Sequence, residues 1–224
     1  MRLAALVTGG KDSVLALYRA QKIGHKIEFL ATMIPKRADS WMFHFPNIHL
    51  TDHLSKAIEI PLVKVETSGI KEKELDDLEK LLASLDVEGV VSGAVASVYQ
   101  KERIERICKE LGLESVTPLW HQDPLSLLKE MIDLKFNVIV VGVYAYGFDE
   151  SWLGREIDSV VVEKLVELHE KYGISLVGEG GEYETLVLDA PFFKKRLQIV
   201  KSEIDYKEHC GVLSVKEVRL VDKR

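Results

Sequence analysis

Six consecutive residues near the start of the chain, Thr8-Gly9-Gly10-Lys11-Asp12-Ser13, bring together the groups that a phosphate chain needs. Gly9 and Gly10 remove the side chains that would keep an anion away, and they let the backbone take torsions that other residues avoid. An apolar run at residues 3–7 precedes the loop. Val14, Leu15, Leu17, Tyr18 and Ala20 follow it at helical spacing within residues 11–23. The loop therefore joins a strand to the start of a helix, where free N–H groups and a partial positive charge favour an anion. Lys11 adds a full positive charge and Ser13 a hydroxyl. Asp12 is a poor neighbour for phosphate unless it holds Mg²⁺ or orients the loop. A plain glycine-rich turn would explain the two glycines, but not lysine, aspartate and serine together.

A second unusual stretch lies far along the chain. Gly178-Glu179-Gly180-Gly181-Glu182-Tyr183-Glu184-Thr185 crowds three carboxylates and three glycines between an apolar run and a strand-like run. An acidic surface hairpin is the plain reading. The functional reading is a pocket wall whose carboxylates meet Mg²⁺, ammonium or a cationic substrate. Other groups are weaker signals. Ser92-Gly93-Ala94 and Ser97 follow a short buried strand, and Tyr99, Gln100 and Arg103 open the next helix. Asp39 and Ser40 lead into an apolar Trp41-Met42-Phe43 and His44, read as a substrate lid or a packed loop. His44, His49 and His53 are spaced by five and four, which does not build a convincing zinc site. Trp41, Trp120, Tyr144, Tyr146 and Trp152 read individually as core or domain-interface residues, with Trp41, Tyr144 and Tyr146 also offered as aromatic walls for a cationic group, and Cys108 as buried in a helix.

The elements that position these groups alternate over the first two-thirds. Strands are expected at residues 3–7, 27–34, 62–65 and 89–91, and helices at 11–23, 51–60, 71–85 and 98–111, with Thr51 as an N-cap. Such βα repetition implies a parallel sheet with helices on both faces, and ligands beyond the carboxyl ends of its strands. The final third differs. Helices are expected at 124–134 and 158–172 and a strand at 138–143, then strand-like runs at 186–188, 197–200 and 212–220 with no helix between them. The fold class is thus α/β, with a smaller C-terminal α+β domain. The boundary is expected near residue 120, giving domains 1–120 and 121–224.

Composition narrows the function classes. The 224 residues are 46% hydrophobic, enough to bury a core without disulfides or metals. The net charge of -6 argues against broad nucleic-acid binding, which needs a strongly basic face. Two cysteines, Cys108 and Cys210, are too few for a disulfide framework and are expected as free thiols in a cytoplasmic, membrane-free setting. No apolar run reaches the length of a membrane span, and no signal peptide is visible. Six Asn and Gln residues beside abundant Lys and Glu suggest a thermophile.

The phosphate loop is not a P-loop, because Asp12 stands where Ser or Thr must follow Gly-Lys and Ala5 where a glycine is required. The dinucleotide fingerprint lacks its third glycine. Residues 8–13 resemble instead the SGGxDS signature of the N-type ATP pyrophosphatases, with Thr8 in place of the first serine. Together with residues 39–44, 97–103, Pro118-Leu119-Trp120 and 178–185 in order, the chain resembles the diphthine–ammonia ligase family over essentially its whole length. That resemblance implies a nucleotide α hydrolase-like (Rossmann-like) sheet followed by a smaller acceptor-binding domain. It implies ATP and Mg²⁺ as cofactors, with ATP cut to AMP and pyrophosphate. It also implies ammonium as nitrogen source and elongation factor 2 carrying diphthine as acceptor. Carried onto this sequence, Lys11, Asp12 and Ser13 are the catalytic candidates, with Asp12 the candidate for Mg²⁺. Thr8, Gly9, Gly10, Lys11, Asp12, Ser13, Gly93 and Ser97 are candidates for the nucleotide. Asp39, Ser40, Tyr99, Gln100, Arg103 and residues 178–185 are candidates for the acceptor. Two rival readings remain: a tRNA-modifying ATP pyrophosphatase and a non-catalytic ATP sensor. The first lacks the paired cysteines and basic surface such enzymes use, and the second gives the acidic stretch no purpose. The oligomeric state is left open, a homodimer included.

Overall fold

In the computed structural model, the described residues are 1–35, 46–68 and 73–223. Asp39, Ser40 and residues 41–44 lie outside them, as do residues 71 and 72 of the third expected helix. The chain divides into two compact units, Met1–Trp120 and His121–Arg224.

The first unit is a parallel five-stranded sheet. Its strands are β1 (Arg2–Leu6), β2 (Lys26–Pro35), β3 (Leu62–Thr67), β4 (Gly89–Val91) and β5 (Glu114–Val116), in the order β3-β2-β1-β4-β5. The helices between them are α1 (Lys11–Lys22), α2 (Thr51–Ile58), α3 (Lys73–Ala83) and α4 (Val98–Leu111). The chain winds outward from β1 to β3, then returns to place β4 on the other side of β1. Right-handed crossovers put α1 and α2 on one face and α3 and α4 on the other. Packing bears this out on the second face. Leu75, Leu78 and Leu82 of α3 and Ile104, Ile107 and Cys108 of α4 form one buried cluster with Ala4, Met33 and Val90 of the sheet. The direction of winding reverses between β1 and β4. Ligands in doubly wound sheets bind in the crevice this reversal opens beyond the carboxyl ends of the strands.

The second unit has a four-stranded antiparallel sheet with two helices. Helices α5 (Pro124–Asp133) and α6 (Ser159–Tyr172) accompany strands β6 (Asn137–Val143), β7 (Tyr183–Asp189), β8 (Lys195–Lys207) and β9 (Cys210–Asp222), in the order β7-β6-β9-β8. Asp123 and Asp158 cap the two helices through bonds to Ser126 N and Val161 N, both 2.8 Å. The β8–β9 hairpin turns on Glu208 and His209 at φ 49° and 77°, a two-residue turn of the hand that suits twisted strands.

Three expectations need correction. Thr51 does not cap α2: a 3-10 turn at Ile48–Leu50 runs straight into the helix, and the Thr51 hydroxyl donates backward to Ile48 O at 2.8 Å. The strand β5 was not expected. Its three residues are too short and polar to show a period, and it forms because β4 offers it an edge. The hairpin strands β8 and β9 run to 13 residues each, through polar stretches such as Lys201-Ser202-Glu203, because they pair along their whole length.

Candidate active site

The loop after β1 is shaped by its own side chains. Gly9 takes φ 88°, open to glycine at no cost. Gly10 then stands extended at the N-cap of α1, and no side chain among the described residues caps that helix. The two hydroxyls are spent inside the loop. Gly10 N donates to Thr8 Oγ1 and Thr8 N to Ser13 Oγ, both at 3.4 Å, while Ser13 Oγ donates to Gly10 O at 2.9 Å. These bonds tie the loop to itself at the start of α1, and the first N–H groups and positive dipole end of a helix suit an anion.

Lys11 is only 3% exposed, and its Nζ lies 2.7 Å from Asp12 Oδ2. A buried ammonium needs such a partner, because desolvation without one costs several kcal/mol, order of magnitude. Lys11 and its neighbour Asp12 thus form an ion pair within the loop.

The loop after β4 closes the other side of the crevice. A Cβ on Gly93 would stand 2.7 Å from Asp12 C and from Ser13 N, so Gly93 packs its backbone flat on the Asp12–Ser13 peptide. That contact joins the two loops that flank the sheet reversal. Ser92, just before it, is buried, and its Oγ has no hydrogen-bond partner among the described residues. Ser97 is the N-cap of α4, accepting from Gln100 N at 3.4 Å. The Arg103 guanidinium stacks 3.4 Å from the Tyr99 ring centroid and donates to Tyr99 O at 3.3 Å. Lys101 pairs with Glu105 and lies 5.1 Å from the Trp120 ring centroid. Arg19 Nη1 donates to Pro118 O at 3.0 Å, tying the Pro118-Leu119-Trp120 segment to α1.

The second unit holds residues 178–185 as a tight turn entering β7. Gly178 and Gly181 take φ 72° and 80°, and Gly181 N donates to Gly178 O at 3.0 Å. Gly178 has a second reason to lack a side chain: its Cβ would stand 2.7 Å from Tyr183 O. Tyr183 is 2% exposed and donates its hydroxyl to Leu176 O at 2.7 Å. Glu182 turns back into the turn, where its Oε1 accepts from Ser175 N at 2.8 Å. Gly180 leaves room for that carboxylate, since a Cβ would lie 2.7 Å from the same oxygen. The other oxygen, Oε2, is buried with no hydrogen-bond partner among the described residues. Glu179 N donates to Ser175 Oγ at 3.2 Å, and Thr185 is buried in β7.

Glu184 has different company. It pairs across the sheet with Gly142 of β6, and Gly142 in turn faces Val212 of β9. Tyr144 folds over this glycine: a Cβ there would stand 2.7 Å from the Tyr144 hydroxyl. Burial first, then the charges of Glu184 and Cys210, push the Tyr144 phenol up to about 12. Tyr144 and Tyr146 are 38% and 64% exposed, so neither is a core residue. The sequence did carry one signal, a glycine inside an otherwise apolar strand, which marks close approach. Cys108 is buried, and desolvation pushes its thiol up to about 11. No group of three or more His, Cys, Asp or Glu residues able to hold a metal occurs among the described residues. No helix among them is long and apolar enough to cross a membrane.

A doubly wound sheet with a lysine-bearing glycine loop and an uncapped helix start at its reversal defines a nucleotide-binding α/β unit, here followed by an α+β unit. Residues 1–115 match the family model of the diphthamide synthase N-terminal domain, and residues 123–221 that of its C-terminal domain. A bovine protein is 37% identical over 227 residues, covering 91% of this chain and 85% of that one. The human protein is 36% identical with the same coverage. A fission yeast protein is 33% identical over 91% of this chain but 37% of its own, longer length. All three are named diphthine–ammonia ligase. This chain belongs to the diphthine–ammonia ligase family. A solved structure of a predicted tRNA methyltransferase subunit from Methanocaldococcus jannaschii covers 88% of this chain and 99% of its own, at 15% identity and TM-score 0.48.

Proposed function

We propose that this chain is an AMP-forming ligase that amidates diphthine on elongation factor 2 with ammonium. The observation that carries the reading is the match of both halves of the chain to the two diphthamide synthase domains. The loop geometry supports it independently. A carboxylate resists attack by ammonia, because its charge repels the nucleophile and oxide is a poor leaving group. Transfer of AMP from ATP onto that carboxylate, with departure of pyrophosphate, yields an acyl-adenylate. Ammonia then attacks the acyl carbon and AMP leaves, giving the amide.

In this chemistry charge accumulates on the departing pyrophosphate. The start of α1, with Gly9 and Gly10 keeping side chains away, receives it, and Lys11 stabilises it. Preorganised donors of this kind are each worth about 3–4 kcal/mol, or ~10²–10³ in rate. Mg²⁺ fits the same place. It is commonly held by one or two carboxylates plus substrate phosphates, and Asp12 is the carboxylate the loop supplies. Mg²⁺ there would offset phosphate charge and free Lys11 from Asp12 to meet the nucleotide. Gly93 and Ser97 line the other side of the nucleotide crevice in this reading.

The acceptor reading rests on residues 178–185. Diphthine carries a trimethylammonium group, which cannot donate strong hydrogen bonds and favours carboxylates and aromatic faces. Glu184 beside Tyr144 offers one of each, and a cation–π contact adds about 0.5–2 kcal/mol. Tyr99, Gln100 and Arg103, at the start of α4, remain candidates to contact the nucleotide or the acceptor, and Asp39 and Ser40 remain acceptor candidates.

The test uses purified chain, ATP, Mg²⁺, ammonium and elongation factor 2 carrying diphthine. The expected product is a peptide whose carboxylic OH has become NH₂, formed with free ammonium as the sole nitrogen source. Amidation that required glutamine in a system free of ammonium would overturn the nitrogen assignment. No amidation at all would overturn the ligase reading.

A further inference from the structure

Three separated segments of the second unit meet in an exposed aromatic patch. The Tyr146 ring lies 5.1 Å from Tyr172 at the end of α6, edge to face, and 5.2 Å from His209 at the hairpin turn. Lys171 Nζ stands 5.0 Å from the Tyr172 ring centroid. Tyr146 is 64% exposed and Tyr172 38%. Exposed aromatics that serve only solubility are not usually clustered, and a contiguous group of them marks a contact surface.

The backbone is shaped to present this patch. Gly147 takes φ 100°, and a Cβ there would stand 2.7 Å from the Tyr172 ring and 2.8 Å from Leu168 Cδ2. Only a glycine in that conformation brings the Tyr146 loop down onto α6. Gly142 leaves room for the Tyr144 ring, since a Cβ there would stand 2.7 Å from its hydroxyl. Two glycines thus hold tyrosines at the surface in fixed positions, which lowers the entropy lost when a partner binds. Tyrosine itself is enriched at binding hot spots, where a rigid ring gives large contact area.

The patch is continuous with the candidate acceptor position. Val143 pairs with Gly211, which brings the end of β6 beside the His209–Cys210 turn, and Gly142 pairs with Glu184 on its other side. The surface therefore runs from Glu184 and Tyr144 through the hairpin turn to Tyr146, Tyr172 and Lys171. An enzyme that modifies one side chain of a folded protein must also grip the surface around that side chain.

We propose that the Tyr146–Tyr172–His209 patch is the docking surface for the folded protein that carries the acceptor carboxylate, resting on the ligase reading above. The patch holds the body of that protein, while Glu184 and Tyr144 meet the modified side chain. It contributes to recognition of the macromolecule and not to the chemistry of ATP.

The test compares two acceptors, the full folded protein and a short peptide carrying the same modified residue. Tyr146→Ala combined with Tyr172→Ala should raise KM for the folded acceptor about tenfold or more. KM for ATP, kcat at saturating acceptor and all constants with the short peptide should stay within twofold. Tyr146→Phe keeps the ring and should restore most of the lost affinity. An unchanged KM for the folded acceptor overturns the proposal. Equal loss with the short peptide also overturns it, because the patch would then line the side-chain pocket itself. A shift to smaller particles in the double variant, seen by light scattering, would give the patch to a second copy of this chain instead. Failure of the unsubstituted chain to amidate either acceptor would sink the ligase reading beneath it.

Discussion

The two glycine-rich stretches, residues 8–13 and 178–185, look alike in sequence and are built in opposite ways. The first turns its side chains to the service of its backbone. Thr8 and Ser13 bind the loop to itself, Lys11 and Asp12 form an ion pair, and glycines occupy the turn before the helix start. The second uses its glycines to make room for its own side chains, since Gly178 accommodates Tyr183 and Gly180 accommodates Glu182. Glycines beside charges thus mean two different things. In one loop they clear space for a ligand, and in the other most of that space is filled from within. Of the three carboxylates in the second stretch, Glu182 supports the turn, while Glu184 sits on the sheet beside Tyr144.

The largest expected effect breaks the first loop. Lys11→Ala or Asp12→Ala should lower turnover by about two orders of magnitude or more. The pair acts as a unit, so the double variant should lose far less than the product of the two single losses. Steady-state release of AMP measures all three, and unchanged rates in both single variants would remove the loop from the mechanism.

Gly93→Ala should come next, with a loss of roughly tenfold to a hundredfold in kcat/KM, because misplacing a catalytic group by about 1 Å costs up to ~10². Its added methyl has nowhere to go except against the Asp12–Ser13 peptide. A Gly93→Ala variant with full activity would mean that the two loops need not touch.

The second stretch should separate into a structural carboxylate and a functional one. Glu182→Ala leaves Ser175 N without its acceptor and should cost about 1–2 kcal/mol of stability, read in a denaturant titration. Glu184→Gln should change stability by less than about 0.5 kcal/mol. It should impair acceptor-dependent AMP release about tenfold, the factor that about 1.4 kcal/mol supplies, with ATP affinity nearly unchanged. If Glu182→Ala destabilised nothing and Glu184→Gln abolished nucleotide binding, the division of labour would be reversed.

The smallest effect is a titration. Tyr144 should ionise near the value of about 12 that burial and Glu184 impose, above the ordinary 10. Sign matters for stability: the raised pKa in the folded state favours folding below about pH 10, and that contribution is lost as pH rises toward 12. Absorbance of the phenolate in wild type and Tyr144→Phe isolates the group. Glu184→Gln should then lower its midpoint, because a neighbouring charge is gone.

Much of this architecture is legible in the sequence. The alternation of strands and helices, the position of residues 8–13 after the first strand, and the change of character in the last third all follow from period and turn chemistry. What could not be read was partnership. Nothing in Lys11-Asp12 says that the buried lysine pairs with the side chain next to it. Nothing in Gly93 says that it lies on a peptide some eighty residues earlier. The polar strand β8 has no period of its own, because pairing with β9 and not burial defines it. Residue type alone leaves Tyr144 and Tyr146 open between core, interface and aromatic wall. Their exposure depends on Gly142 and Gly147, whose roles emerge only when the neighbouring rings are in place.

The most direct test of the central claim follows the phosphates of ATP. ATP labelled at the α- and γ-phosphates is supplied with Mg²⁺, ammonium and acceptor, and the products are separated. Label should appear in AMP and in pyrophosphate, in equal amounts and matched to amide formed, and Lys11→Ala should suppress both together. ADP with inorganic phosphate as the products would contradict the account, because bond cleavage would then lie beyond the phosphate that the acceptor must attack.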